Sequence, residues 1–94
     1  MSVNPTCDVC SGGTASSGST SVTFRNDNPS SCTISGLGSL VDCPDPFTVP
    51  GRSGGTAGTK TCNIKSGATT GTYTYTVGGG VNCPGQTNPS VVYQ

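Results

Sequence analysis

The sequence predicts an all-β domain, a Greek-key β-sandwich stabilised by disulfides. Three observations predict it. Short runs of alternating apolar and polar residues recur along the chain, turn-forming clusters separate them, and six cysteines are spread over only 94 residues. The 15 Gly and 7 Pro would break a helix wherever one tried to propagate, and no apolar period near 3.6 appears. A chain this short has room for one core, so a single domain is expected, with residues 1–20 as a cysteine-bearing N-terminal segment and connector and residues 21–94 as the sandwich.

Taken in order, residues 11–19 (SGGTASSGS) have the composition of a flexible connector. Ser21 to Arg25 then alternates, with Val22 and Phe24 on one face and Thr23 and Arg25 on the other. The run Asn26-Asp27-Asn28-Pro29 ends it as a dense turn signal. Ser31 to Leu37 places Cys32 and Ile34 inward, and Asp45 to Val49 supplies Phe47 and Val49. After the turn Pro50 to Gly55, Thr59 to Lys65 turns Cys62 and Ile64 in and Thr59, Thr61 and Asn63 out. Gly71 to Gly78 is the most regular run: Tyr73, Tyr75 and Val77 share one face and Thr72, Thr74 and Thr76 the other. Ser90 to Tyr93 closes the sheet, and Pro89 is tolerated because it starts that strand.

Composition excludes several functions. The charge is balanced, four basic against four acidic residues, so no basic field exists to track a phosphate backbone, and nucleic acid is not an expected partner. There is no His, which removes the imidazole base of Ser/His/Asp and Cys/His nucleophile activation and every His-containing zinc or copper site. No catalytic residue, cofactor or metal ligand is expected, and the chain is read as not an enzyme. No stretch of about 18 apolar residues is present to insert in a membrane. The N-glycosylation candidates Asn4, Asn28 and Asn88 are each followed by Pro and fail.

Cysteine density points to an oxidising compartment: extracellular, cell surface or periplasmic. The opening Met1-Ser2-Val3-Asn4-Pro5 has neither a basic nor an apolar leader region, which fits a mature segment behind a start methionine. Cys43 and Cys62 lie at nearly equal distances from the turn at Arg52-Ser53, so arms pairing in register would set them opposite each other as a disulfide. Cys7-Asp8-Val9-Cys10 has the spacing of a redox pair or half a zinc site. The Ser-Gly-Gly that follows cannot open the helix a redox pair needs, so a small structural staple is the plainer reading.

Two separated segments carry a family resemblance. Val22-Thr23-Phe24-Arg25-Asn26-Asp27 followed by Cys32-Thr33-Ile34 resembles the cupredoxin pattern of a strand ending in Asn-x-Asp and then His-Thr-Val. Gly71 to Val77, a Gly-rich loop through Cys83, and Ser90-Val91-Val92 resemble that family's C-terminal Gly-x-Tyr-x-Tyr-x-Cys, ligand loop and closing strand. The resemblance implies a sandwich of cupredoxin-like, or more broadly immunoglobulin-like, topology. It does not extend to copper: Cys32 stands at the first His position, Val77 at the Cys position, and the only Met is Met1. By the same resemblance Cys32 and Cys83 would lie near each other at one end, where a disulfide could tie the loops that copper ties in relatives. Cys7 and Cys10 are then left as the third, local pair.

Asp42 and Asp45, with Asp27, could be paired carboxylates or calcium ligands, but turn-forming Asp bonded to its own backbone is the simpler expectation. Tyr73 and Tyr75 could stack on sugars and are expected instead in the core. Thr72, Thr74 and Thr76 with Thr59 and Thr61 would form a flat uncharged face suited to another copy of the chain, another surface protein or a polysaccharide; plain high-β-propensity Thr on an exposed face is the alternative. The expected function is therefore non-catalytic: a structural, adhesion or ligand-recognition domain, alone or as a subunit of an extracellular assembly or filament. The alternative is a thiol-disulfide redox or metal-handling protein using Cys7 and Cys10.

Overall fold

The computed structural model describes residues 4–16, 18–79 and 89–94. Nine short strands and no helix are assigned among them: β1 (Thr6–Asp8), β2 (Gly13–Ala15), β3 (Ser21–Asn26), β4 (Cys32–Ser35), β5 (Phe47–Val49), β6 (Gly58–Asn63), β7 (Gly71–Thr74), β8 (Thr76–Gly78) and β9 (Ser90–Tyr93). They form three small sheets, in the orders β1-β3-β6, β2-β9-β7 and β5-β4-β8, here called the first, second and third. The all-β class expected from alternation and turn density is what the chain adopts.

The longest ladder is β3 against β6, antiparallel from Ser21↔Asn63 to Asn26↔Gly58. Its sequence basis is the alternation in β3, which buries Val22, Phe24 and Asn26 while Ser21 and Thr23 stay half-buried and Arg25 exposed. β1 joins β3 in parallel, Cys7 opposite Phe24. β4 is the middle of the third sheet, with Ile34 between Phe47 of β5 and Val77 of β8. In the second sheet β9 is central, parallel to β2 and antiparallel to β7.

All three sheets feed one core. Val22 and Phe24 come from the first sheet, Ile34, Phe47 and Val49 from the third, and Ala15, Val91 and Tyr93 from the second. Phe24 is the junction: its ring lies 5.3 Å from Phe47 and 6.0 Å, edge-on, from Tyr75. That tilted and edge-to-face geometry is the one aromatic quadrupoles favour. Asn26 is buried among them without cost, because its Nδ2 donates to Ser30 O (2.9 Å) and Pro50 O (3.2 Å) and its Oδ1 accepts from Asn28 N–H (2.9 Å). It ties the turn after β3 to the end of β5.

Four expectations are corrected by the structure. Gly71 to Gly78 is not one strand: Tyr75 interrupts it, and β7 pairs with β9 while β8 pairs with β4. The stretch expected as flexible connector, residues 11–19, contains strand β2 with Ala15 fully buried, and β1 precedes it with Cys7 and Val9 buried. The disulfide pairing expected for Cys32 does not occur: its thiol is free and buried, so it is not joined to Cys83, which itself lies outside the described residues. Cys7 is likewise a free buried thiol, so it is not joined to Cys10.

Cys43 and Cys62 are bonded, with Cα atoms 5.6 Å apart. The geometry that achieves this differs from the in-register hairpin that suggested it. β5 pairs with β4 and β6 with β3, and only the bridge Ser53↔Thr56 closes the turn between them. Instead the segment after the Leu37–Val41 turn runs along the free edge of β6. Asp42 N–H donates to Asn63 O, Lys65 N–H to Leu40 O, and Val41 bridges Ile64. The disulfide fastens that cover to the edge.

Candidate functional site

The expected Thr face is divided by the fold. Thr59 and Thr61 lie on β6 of the first sheet, Thr72 and Thr74 on β7 of the second, and Thr76 on β8 of the third, all five exposed. No single surface holds them. The first sheet nevertheless builds a hydroxyl face of its own around Thr59 and Thr61. Register sets Thr6, Thr23 and Thr61 in one row across β1, β3 and β6, and Asp8, Arg25 and Thr59 in the next, with Ser21 beside Asn63. Opposed residues of paired strands share a face, so these side chains all stand on the side away from Val22 and Phe24.

The row is hydrogen-bonded internally. Thr23 Oγ1 donates to Asn4 Oδ1 at 2.9 Å and lies 2.9 Å from Thr61 Oγ1. A hydroxyl has one proton, so with Thr23 committed to Asn4 it is Thr61 that donates to Thr23. The chain Thr61 to Thr23 to Asn4 leaves lone pairs facing water with their orientation fixed. Charge on the face is partly cancelled, since Arg25 pairs with Asp27 at 3.2 Å while Asp8, in the same row, accepts from Cys10 N–H. Of this set the sequence had picked out Thr59 and Thr61, and the alternation opposite Val22 and Phe24 had placed Thr23 on the outer side. Thr6 carried no signal, because a three-residue strand has too few positions to show a period.

The carboxylates work on backbone. Asp8 Oδ1 accepts from Cys10 N–H (2.9 Å), Asp42 Oδ1 from Asn63 N–H (3.1 Å), and Asp45 from Gly36 N–H through Oδ1 (3.0 Å) and Gly38 N–H through Oδ2 (3.3 Å). These are turn-closing roles. Among the described residues no group of three or more His, Cys, Asp or Glu is placed to hold a metal ion.

The thiols are placed for packing. Cys7 is 0% exposed and burial pushes its thiol up to about 11. Burial also raises Cys32, partly offset by a backbone hydrogen bond at Val49. Cys10 is half-buried and disulfide-bonded. Tyr75, expected in the core, is 1% exposed, and its hydroxyl lies 3.1 Å from the carbonyl oxygens of both Asp8 and Val9. Burial first, then the neighbouring Cys7, Asp8 and Cys32, raise its pKa well above that of an ordinary phenol. Tyr73 is only half-buried and its hydroxyl donates to Thr69 O.

No protein-family model, curated protein or solved structure matches the chain.

Proposed function

We propose that this chain is a non-catalytic structural or recognition domain of an oxidising compartment, extracellular, surface-attached or periplasmic, and that its working surface is the outer face of the first sheet. The observation that carries this reading is the bonded hydroxyl pair Thr23 and Thr61 with Asn4 joined to it, in one row with Thr6. A flat array of oriented, uncharged hydrogen-bonding groups on a rigid sheet complements a surface of the same chemistry, such as a neutral polysaccharide. The Cys43–Cys62 bond supports the compartment, since such links persist where thiols are not kept reduced.

We read the three sheets as the parts of one two-layer sandwich. β7 and β8 are separated by Tyr75 alone, and this continuity supports reading the second and third sheets as one bent layer opposite the first. The cupredoxin resemblance enters as topology without metal, with Cys32 a buried core thiol at the start of β4. The redox alternative at Cys7 and Cys10 has physical chemistry against it. A reactive cysteine needs access and a lowered pKa, and Cys7 has neither.

Affinity electrophoresis through gels containing neutral polysaccharides tests the reading. Retardation of the parent protein, lost in Thr61→Lys and kept in Thr74→Lys, is the expected result. A parent that no neutral polysaccharide retards, or equal loss in both variants, overturns it.

A further inference from the structure

We propose that the outer face of the first sheet selects a neutral polysaccharide that carries acetamido groups, and that Asn4 is the residue that sets this preference. The inference rests on the proposed function and deepens it, since it names the chemistry that the same face prefers. Proton counting at the bonded row carries it. A hydroxyl has one proton, and a primary amide has two on nitrogen and none on oxygen. Thr23 Oγ1 gives its proton to Asn4 Oδ1 (2.9 Å), and Thr61 gives its own to Thr23 Oγ1 (2.9 Å). Both hydroxyls therefore meet a ligand as acceptors. Asn4 is exposed and its oxygen already accepts from Thr23, so its two Nδ2 protons are what it offers. Thr6 and Thr59, exposed on the same side, can turn their hydroxyls either way, and the polarity of the face is set by Thr61, Thr23 and Asn4.

A ligand matched to this pattern brings protons to Thr61 and Thr23 and an oxygen without a proton to Asn4. Sugar hydroxyls supply the first. An acetamido group supplies both, because its N–H donates and its carbonyl only accepts. A polymer of hydroxyls alone satisfies Thr61 and Thr23 but gives Asn4 another hydroxyl oxygen, whose own proton then needs a further acceptor. A second amide stands on the same face: Asn63 lies on β6 opposite Ser21, with its side chain exposed and its backbone held by Asp42 on both sides. Charge decides which carbonyl-bearing sugar fits. Beside the row Arg25 is already paired with Asp27, and Asp8 adds a second carboxylate next to it. One cation against two carboxylates disfavours a uronate and leaves an uncharged acetamido oxygen unaffected.

The test is affinity electrophoresis of the full chain in native gels that carry one of three polymers: fully N-acetylated glycol chitin, hydroxyethyl cellulose, which has hydroxyls but no acetamido group, or alginate, a polyuronate. The parent protein is expected to be retarded by both neutral polymers, with a dissociation constant several-fold lower for glycol chitin, and to pass alginate unretarded. Asn4→Asp keeps an acceptor for Thr23 and removes both Nδ2 protons. In that variant retardation by glycol chitin should fall to the level of hydroxyethyl cellulose, which itself stays as in the parent, and Asn4→Gln should restore the preference. Equal retardation of the parent by the two neutral polymers overturns the inference, as does stronger retardation by alginate. So does an Asn4→Asp variant that keeps the preference, or one that loses both neutral polymers alike, since Asn4 would then hold the face without selecting. A parent that no polymer retards overturns the proposed function itself, so the two failures are told apart by the parent alone.

Discussion

The first sheet is held at its two edges by different means. On the β6 edge a six-residue antiparallel ladder is sealed by the 40–43 segment and locked by the Cys43–Cys62 bond. On the β1 edge the N-terminal arm, residues 4–15, makes a three-residue parallel pairing supported by three buried side chains, one tyrosine hydroxyl and the disulfide-bonded Cys10 beyond it. The covalent link acts mainly by narrowing the unfolded ensemble, so it stabilises the whole molecule wherever it opens. The N-terminal arm is pinned covalently at Cys10 alone; on either side of that point only short pairings and buried contacts hold it, and these give way locally. The pairing of a global clamp with a local latch implies two opening free energies, a high one for β3 and β6 and a lower one for residues 4–15.

The variant expected to erase that difference is Phe24→Ala. Phe24 faces Cys7 across the strands and packs on both Phe47 and Tyr75. Truncating it should cost about 3–5 kcal/mol, measured by urea unfolding, and release arm and ladder together. Next, replacing Cys43 and Cys62 by Ala removes a link spanning 19 residues of sequence, and a loop of that size corresponds to about 3 kcal/mol. Amide exchange at Phe24 and Cys62 should accelerate towards that of the arm, while Val9 exchange, governed by local opening, changes little. Equal acceleration everywhere would remove the distinction between clamp and latch.

Tyr75→Phe sharpens the comparison from the other side. It keeps the ring against Phe24 and deprives the Asp8 and Val9 carbonyls of their donor, a loss of about 1–3 kcal/mol read chiefly as faster exchange at Val9 N–H. Alkali acts at the same place. Both Cys7 and Tyr75 have pKa values raised by folding, so the folded state holds its protons longer than the unfolded one. Their contribution is complete below pH 9 and is lost as pH climbs from 9 through about 11 for Cys7 and beyond that for Tyr75. Chemical denaturation across this range should show stability falling, and Cys7→Ala should flatten the first part of the fall. Smallest of all is Arg25→Ala. The guanidinium and its partner Asp27 are about half exposed (55% and 48%), so the loss should stay under about 1 kcal/mol in either region.

What the residues announced and what they hid divides along the same line. β3 and β6 were legible because six residues of alternation against a solvated face leave a period-two record. The Cys43–Cys62 bond was legible from symmetry about Arg52-Ser53, although the two arms joined different sheets. β1 and β2 were not legible. Three residues carry no period, and Cys7-Asp8-Val9-Cys10-Ser11-Gly12-Gly13 has the composition of a turn; only the groove supplied by β3, β9 and Tyr75 makes it extended. The break at Tyr75 was hidden for the opposite reason, since its Thr-Tyr alternation continues unchanged through a point where the pairing partner switches. The Thr set failed as one face because that switch sends Thr76 to a different sheet from Thr72 and Thr74, while Thr59 found Thr61 and Thr23 on its own sheet.

The chain has three tyrosines and no tryptophan, which gives the buried phenol of Tyr75 an optical role. Its ring is fixed edge-on to Phe24 and its hydroxyl is anchored to the arm, while Tyr73 is half-buried and bonded only to Thr69 four residues away. Near-ultraviolet dichroism will therefore report on the two core phenols, Tyr75 and Tyr93, and the difference spectrum against Tyr75→Phe isolates the share of Tyr75. The molecule carries its own spectroscopic gauge of whether the arm is seated, readable without any added label.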